Sequence, residues 1–127
     1  MKVLTIGSDR KLFDATSAVY ARNVLYSSRM EELVIIVFTL STQGFKEIHD
    51  KNLHIYPTHS SFRYAYVWDA YNLGKKVIIE HKFVRGDAVL STQDPFEAGL
   101  VGYWLKNAFR LPLQLACGVE AEERAGR

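Results

Sequence analysis

The stretch Leu33-Val34-Ile35-Ile36-Val37-Phe38 carries the strongest structural pattern in the sequence. It is apolar without alternation and rich in β-branched residues, which is typical of a parallel strand covered on both faces. A strand of this kind needs packing partners above and below it. The stretch therefore predicts an α/β domain in which helices cover a buried sheet.

Shorter segments on either side continue an alternation of strands and helices. Strands that alternate with helices over short loops form right-handed βαβ units, and their ligands bind at the carboxyl ends of the strands. The sequence thus predicts a doubly wound α/β fold: a mainly parallel, five-stranded sheet with helices on both faces. The predicted strands cover residues 3–6, 33–38, 53–56, 87–90 and 113–116, and the predicted helices begin near residues 14, 62 and 94.

The third of these helices has the clearest start in the sequence. Asp94 can cap it, Pro95 suits the first helical position, and Glu97 can complete a capping box. Gly99 and Gly102 lie inside the helix, where each costs about 1 kcal/mol relative to alanine, so they indicate close packing against the sheet. The apolar face of this helix is predicted to contain Phe96, Leu100, Trp104 and Ala108.

Length and composition narrow the class of protein. The 127 residues, 48% of them hydrophobic, predict one domain over residues 1–117 and a polar, non-native or unstructured tail over residues 118–127. The 16 basic and 14 acidic residues are interspersed, which argues against a nucleic-acid partner. A single cysteine, Cys117, favours a reducing cytoplasm. Basic residues near positions 75–85 leave a peripheral membrane contact open, with a solvated helix face as the alternative.

The loop after the first strand reads Gly7-Ser8-Asp9-Arg10-Lys11 and lies where dinucleotide-binding proteins carry a glycine fingerprint. Only one glycine is present, so the usual backbone approach to a pyrophosphate is excluded. The side chains of Arg10 and Lys11 can still meet an anionic group. The alternative is that both are solvated loop charges.

A second polar loop covers residues 91–97, between a strand and a helix N-terminus. A bare helix N-terminus attracts phosphate. Because Asp94 and Glu97 already place negative charge there, the loop favours hydroxyl groups, as in a sugar or polyol. The alternative is that these two residues only cap the helix.

The four histidines, His49, His54, His59 and His81, share no helical i, i+4 spacing and have no cysteine nearby that would complete a zinc motif. Their spacing therefore argues against a zinc site, and surface or packing roles are expected. No metal and no cofactor are predicted.

The stretch Leu90-Ser91-Thr92-Gln93-Asp94-Pro95-Phe96-Glu97-Ala98-Gly99-Leu100-Val101-Gly102, followed by Pro112-Leu113-Gln114-Leu115, resembles the N-terminal domain of family-four retaining glycosyltransferases. Lys2-Val3-Leu4 and Arg10-Lys11-Leu12-Phe13 agree with it, and the likeness covers roughly the first 115 positions.

The resemblance implies a GT-B enzyme, in which a Rossmann-like first domain binds the acceptor and a second binds the nucleotide-sugar donor. Such enzymes retain the anomeric configuration and need no bound metal. No catalytic residue is assigned to this chain. The acceptor side is implied to include Ser8, Asp9, Arg10, Lys11, Thr92, Gln93, Asp94 and Glu97.

The sequence departs from that family after Gln114-Leu115, where Ala116-Cys117-Gly118-Val119 takes the place of the family's histidine-bearing segment. A truncated or frame-shifted coding region is one explanation of this departure. Transfer requires donor and acceptor in near-attack geometry, so we expect an acceptor-binding half that is inactive alone.

Two other functions remain open at this stage. One is a non-catalytic Rossmann-like module that acts through self-association. In both main hypotheses a free apolar edge at residues 113–116 predicts a homodimer or a swapped oligomer, because such edges pair with other chains. The second open function is that of a small nucleotide-binding protein, and the missing glycine loop counts against it.

Overall fold

Six strands form one sheet in the computed structural model, which describes residues 1–93 and 96–115. The order across the sheet is β3-β4-β2-β1-β5-β6. Every neighbouring pair is parallel except β3 and β4, which are antiparallel. The strands are β1 (Lys2–Gly7), β2 (Glu32–Val37), β3 (Ile48–Asp50), β4 (Leu53–Pro57), β5 (Ala88–Thr92) and β6 (Leu113–Leu115), and the helices are α1 (Ala18–Ser27), α2 (Tyr66–Glu80) and α3 (Glu97–Phe109).

The predicted α/β class and mainly parallel sheet are confirmed, but the predicted count of five strands is too low by one. The additional strand is β3, which lies in a stretch that reads as polar. It has three residues, and only the two residues Lys51 and Asn52 separate it from β4. Lys51 turns the chain with a positive φ of 56°. A strand of three residues is too short to show a hydrophobic pattern in the sequence. It forms because it pairs with β4.

Alternate residues of the central strands belong to two hydrophobic clusters. Leu33, Ile35 and Val37 of β2 share one cluster with residues of α1, including Val19 and Val24. Val34 and Ile36 share the other cluster with residues of α2 and α3. Since side chains alternate along a strand, β2 supplies both clusters, which explains its unbroken apolar sequence.

The first helix begins later than the sequence predicts. Ser17, and not Asp14, is its N-cap: the Ser17 hydroxyl accepts a hydrogen bond from the Tyr20 backbone N–H at 3.1 Å. The Asp14 carboxylate instead accepts bonds from the backbone N–H and the hydroxyl of Thr16, at 2.9 and 2.6 Å. These bonds stabilise the charged form, so they hold the pKa of Asp14 below its usual value.

The side of α3 that faces the core differs from the predicted one. Ala98, Val101 and Leu105 are fully buried, whereas Phe96 and Leu100 are 78% and 42% exposed. Three small residues, Ala98, Gly99 and Gly102, are also buried on this side and let the helix lie very close to the sheet. A β-carbon placed on Gly102 would lie 2.6 Å from the Thr92 side chain, which confirms the close packing predicted there. The helix begins at Glu97 with Phe96 as its N-cap, so the predicted capping box, with Asp94 as the cap and Glu97 reaching back to it, is wrong. Asp94 and Pro95 themselves lie outside the described residues, as do Cys117 and the tail.

Among the strands that the structure describes, β6 lies at one edge of the sheet, as its position in the strand order shows. It pairs in parallel with β5, and its first residue Leu113 lies opposite Leu90. The predicted strand ended at Ala116, which lies outside the described residues. Among the residues that the structure describes, the helices are all too short or too polar to cross a bilayer.

Candidate functional site

The loops after β1 and β5 meet at the carboxyl edge of the sheet. The Gln93 backbone N–H donates to the Ile6 carbonyl at 3.0 Å. The Gln93 side chain then lies directly over Gly7: a β-carbon placed on Gly7 would be 1.8 Å from Gln93 Oε1. Gly7 therefore provides room for an amide side chain at the edge, which is a different use of glycine from the close backbone approach of a phosphate loop.

The loop after β1 leads into a short 3-10 helix, Arg10–Phe13. Asp9 caps this helix, because its carboxylate accepts a hydrogen bond from the Lys11 backbone N–H at 3.1 Å. Ser8 and Lys11 are exposed to solvent. One carboxylate oxygen of Asp9 is thus occupied locally, while the side chains of Ser8 and Lys11 remain accessible.

Arg10 is held by the N-terminus of α2. Its Nη2 donates to the hydroxyl of Tyr66 at 3.1 Å, and the Tyr66 ring stacks on Phe38 with ring centroids 5.4 Å apart. The Arg10 Nε is buried and has no hydrogen-bond partner among residues 1–93 and 96–115. A buried N–H without a partner is rare in native proteins, but this atom has almost no surface through which a ligand could reach it.

Thr92 and Glu97 occupy different environments. Thr92 has no exposed surface and lies beneath α3, against the backbone of Gly102. Its hydroxyl has no partner within the described part of the chain. Glu97 is the half-buried first residue of α3. Thr92 therefore lies under the predicted rim, and Asp94, the remaining residue of the predicted set, lies outside the described residues.

A cavity of about 290 Å³ separates α1 from strands β1, β5 and β6. Its size is close to the lower end for small-molecule sites. Two of the predicted acceptor-side residues, Asp9 and Gln93, line it from the two loops. Further polar side chains around it are Thr5, Arg22, Asn23, Ser91 and Gln114. The cavity therefore combines strand-borne hydroxyl and amide groups with one acidic and one basic group.

A second polar cluster lies at the opposite, amino edge of the sheet. Glu32 is the first residue of β2, His54 is in β4, and His81 follows the last residue of α2. Oε2 of Glu32 lies 2.6 Å from Nδ1 of His81 and 3.6 Å from Nε2 of His54. Their spacing in sequence contains no pattern that would reveal this cluster, because Glu32 and His81 are 49 positions apart.

The environment of this second cluster alters the ionisation of two side chains. Burial lowers the pKa of His54, and the nearby His81 and His49 lower it further, while Glu32 acts in the opposite direction. Burial also raises the pKa of Tyr56 to about 12, with smaller contributions from Glu80, Glu47 and Glu32. The phenol of Tyr56 therefore stays protonated at neutral pH.

Comparison of the chain with models of known protein families finds no match, and no curated protein and no solved structure matches it significantly.

Proposed function

We propose that this chain is the acceptor-binding half of a two-domain, GT-B glycosyltransferase and that it binds a sugar or polyol at the carboxyl edge of its sheet. The observation that carries the proposal is the contact between Gly7 and Gln93, which joins the loops after β1 and β5 into one rim. Ligands of open α/β sheets bind at this edge. The resemblance of residues 90–102 to family-four glycosyltransferases supports the same assignment.

The chemistry of the rim favours a hydroxylated ligand. Asp9 and the Gln93 side-chain oxygen can accept hydrogen bonds from hydroxyl groups, and the exposed Lys11 ammonium can donate to a ligand oxygen. The rim has a single glycine and no glycine-rich loop, so its backbone does not cradle phosphates. We therefore take Ser8, Asp9, Arg10, Lys11, Gln93 and Glu97 as the proposed acceptor side, with Asp94 retained from the sequence.

Acceptor binding can be tested by titrating ¹⁵N-labelled protein with methyl glucoside, glycerol and glycerol 3-phosphate. We expect amide shifts in residues 7–11 and 93 with the hydroxylated probes, and weaker shifts after Gln93→Ala or Arg10→Ala. Arg29→Ala is the control, because Arg29 is an exposed cation away from these loops. The proposal would be contradicted if the amide signals of residues 7–11 and 93 stayed in place at the highest concentration of every probe.

Catalytic inactivity needs a separate experiment. In the proposed enzyme the donor binds to the second domain, and transfer requires both substrates in register. We expect no glycosylated product when these 127 residues are incubated with nucleotide sugars and the same acceptors. Turnover above the background of a protein-free sample would show that the chain carries its own donor site.

The edge position of β6 favours a second candidate function, self-association. An apolar edge strand offers unpaired backbone groups to another chain. We expect dimers or larger species by light scattering at high concentration, and we expect Gln114→Lys in β6 to reduce them because an edge lysine opposes strand pairing. A monomer at every concentration would remove this candidate.

A further inference from the structure

The cluster at the amino edge of the sheet has the composition of a transition-metal site. One ligand atom from each of Glu32, His54 and His81 lies within 4.8 Å of the others. We propose that these three residues bind a divalent transition-metal ion, with Zn²⁺ as the best-suited ion. Zinc takes His nitrogen and carboxylate oxygen ligands, and two His with one Glu is a known set for a site that keeps an open position.

The distances fit a small tetrahedral ion after a modest adjustment. Tetrahedral zinc bonds of about 2.0–2.1 Å place neighbouring ligand atoms about 3.3 Å apart. Oε2 of Glu32 lies 2.6 Å from Nδ1 of His81 and 3.6 Å from Nε2 of His54, one value below and one above that spacing. Side-chain movements of less than about 1 Å would satisfy both, and the third pair, His54 and His81, lies within 4.8 Å.

The backbone holds the ligands in place. β2 and β4 are hydrogen-bonded neighbours, and His54 lies opposite Val34, two residues after Glu32 on the same face of β2. His81 follows the last turn of α2, and its ring centroid is 4.9 Å from that of His54. Ligands on strands and at a helix end are positioned more precisely than ligands on loops.

The other polar atom of each ligand already has a partner. Nε2 of His81 lies 2.9 Å from the Tyr56 hydroxyl, and Nδ1 of His54 lies 2.7 Å from Nδ1 of His49. Oε1 of Glu32 pairs with the Lys2 ammonium at 3.4 Å, which leaves Oε2 directed toward the histidines. Such outer contacts orient metal ligands and are typical of metal sites.

The tautomers of His49 and His54 are compatible with metal binding. Nδ1 of His54 lies 2.7 Å from Nδ1 of His49, and Nε2 of His49 lies 3.2 Å from Glu47 Oε1. If His54 donates to His49 and His49 donates to Glu47, both rings are neutral and the lone pair of His54 Nε2 faces the Glu32 carboxylate. A metal ligand must present such a lone pair.

Solvent can reach the site. The side chains of Glu32, His54 and His81 are 21%, 16% and 15% exposed, so an ion can enter without unfolding the domain. Three protein ligands leave a fourth position for water. The ion would tie β2, β4 and the end of α2 together at the edge opposite the proposed acceptor rim, so this proposal does not depend on the proposed function.

Metal binding can be tested with tag-free protein that has been stripped with a chelator. We expect calorimetric titration with ZnCl₂ to give one bound Zn²⁺ per chain, and Co²⁺ to give the visible absorption of a tetrahedral site. Glu32→Gln and His54→Gln preserve side-chain size, and each should weaken Zn²⁺ binding by more than tenfold. His49→Gln should weaken it by about tenfold, since outer contacts of metal ligands contribute 10- to 100-fold.

His59→Asn is the matched control, because it removes an exposed histidine at a position with positive φ, which asparagine tolerates. This variant should bind Zn²⁺ as the parent protein does. The proposal is overturned if the parent binds no Zn²⁺, or if Glu32→Gln and His54→Gln bind it unchanged. Circular dichroism shows whether each variant is folded. If His54→Gln does not fold, Glu32→Gln and His49→Gln still test the proposal.

Discussion

The Nδ1 atoms of His49 and His54 lie 2.7 Å apart, directly opposite each other in the antiparallel pair of β3 and β4. One of the two imidazoles must therefore donate to the other, which fixes the tautomers relative to each other. This contact links the strand that the sequence did not predict to the cluster around Glu32. The short hairpin thus completes the polar network at the amino edge of the sheet.

Removal of bound metal should destabilise the protein. An ion that binds only the folded state adds about 2.7 kcal/mol to the free energy of unfolding when its free concentration is 100 times its Kd. We expect Zn²⁺ to raise the urea midpoint of the chelator-treated protein and excess chelator to reverse the change. The same Zn²⁺ should raise the midpoint of Glu32→Gln much less, because this variant is expected to bind the ion more than tenfold more weakly. Equal stabilisation of both proteins would assign the effect to another site.

Alanine at position 102 should destabilise the fold although alanine favours helix. Its β-carbon would lie 2.6 Å from Thr92 Cγ2 and 2.8 Å from Leu113 Cδ1. Overpacking costs about 1–3 kcal/mol, while the gain in helix propensity is about 1 kcal/mol. We expect a net loss of up to about 2 kcal/mol for Gly102→Ala in urea unfolding.

Two further variants test the cause of that loss. Thr92→Ser removes the methyl group that the new β-carbon meets, so Thr92→Ser combined with Gly102→Ala should lose less than the two changes added together. Asn107→Ala, at an exposed position of α3, should be neutral or slightly stabilising. If the losses in free energy of unfolding of the two single variants simply added in the double variant, the strain would not come from the contact with the Thr92 methyl group.

Alanine at position 7 should affect the proposed acceptor rim more than stability. The atoms that its β-carbon would meet belong to the flexible Gln93 side chain, which can swing away. We expect Gly7→Ala to change the free energy of unfolding by less than about 1 kcal/mol. It should nevertheless reduce the shifts that methyl glucoside produces at residue 93. Unchanged shifts would show that ligand binding does not depend on the contact between the two loops.

The bond from Tyr20 to Asp50 should contribute stability only below alkaline pH. The Tyr20 hydroxyl donates to Asp50 Oδ2 at 3.0 Å and ties α1 to β3. Burial, this bond and the charge of Asp50 raise the pKa of Tyr20. A raised pKa means that the contribution is present below the unfolded value of about 10 and is lost as pH rises through the folded value.

Tyr20→Phe tests this dependence. It should lower the free energy of unfolding by about 0.5–1 kcal/mol at neutral pH, and the difference from the parent should shrink above pH of about 10. In Asp50→Asn the repulsion between phenolate and carboxylate is absent, so Tyr20 should ionise at lower pH by absorbance titration. If the difference in free energy of unfolding between Tyr20→Phe and the parent stayed constant with pH, the bond to Asp50 would not stabilise the protonated hydroxyl.

Much of the architecture could be predicted because it depends on local patterns. The unbroken apolar run at residues 33–38 predicts a strand with two covered faces, and β2 has five buried residues in succession. Gly102 predicts close packing because a glycine inside a helix has a cost that needs a reason. The sequence predicts too early a start for α1 because Asp14 and Ser17 can both cap a helix, and only the hydrogen bonds distinguish them.

The polar sites depended on contacts between distant parts of the chain. The sequence alone established an α/β fold with polar loops after its first and fourth predicted strands, since these follow from hydrophobic periodicity and turn residues. The tertiary structure brought Glu32, His54 and His81 together, placed Thr92 beneath α3, and turned Leu100 outward. Periodicity records which residues share a face of one element, whereas sheet order and helix docking decide which faces meet.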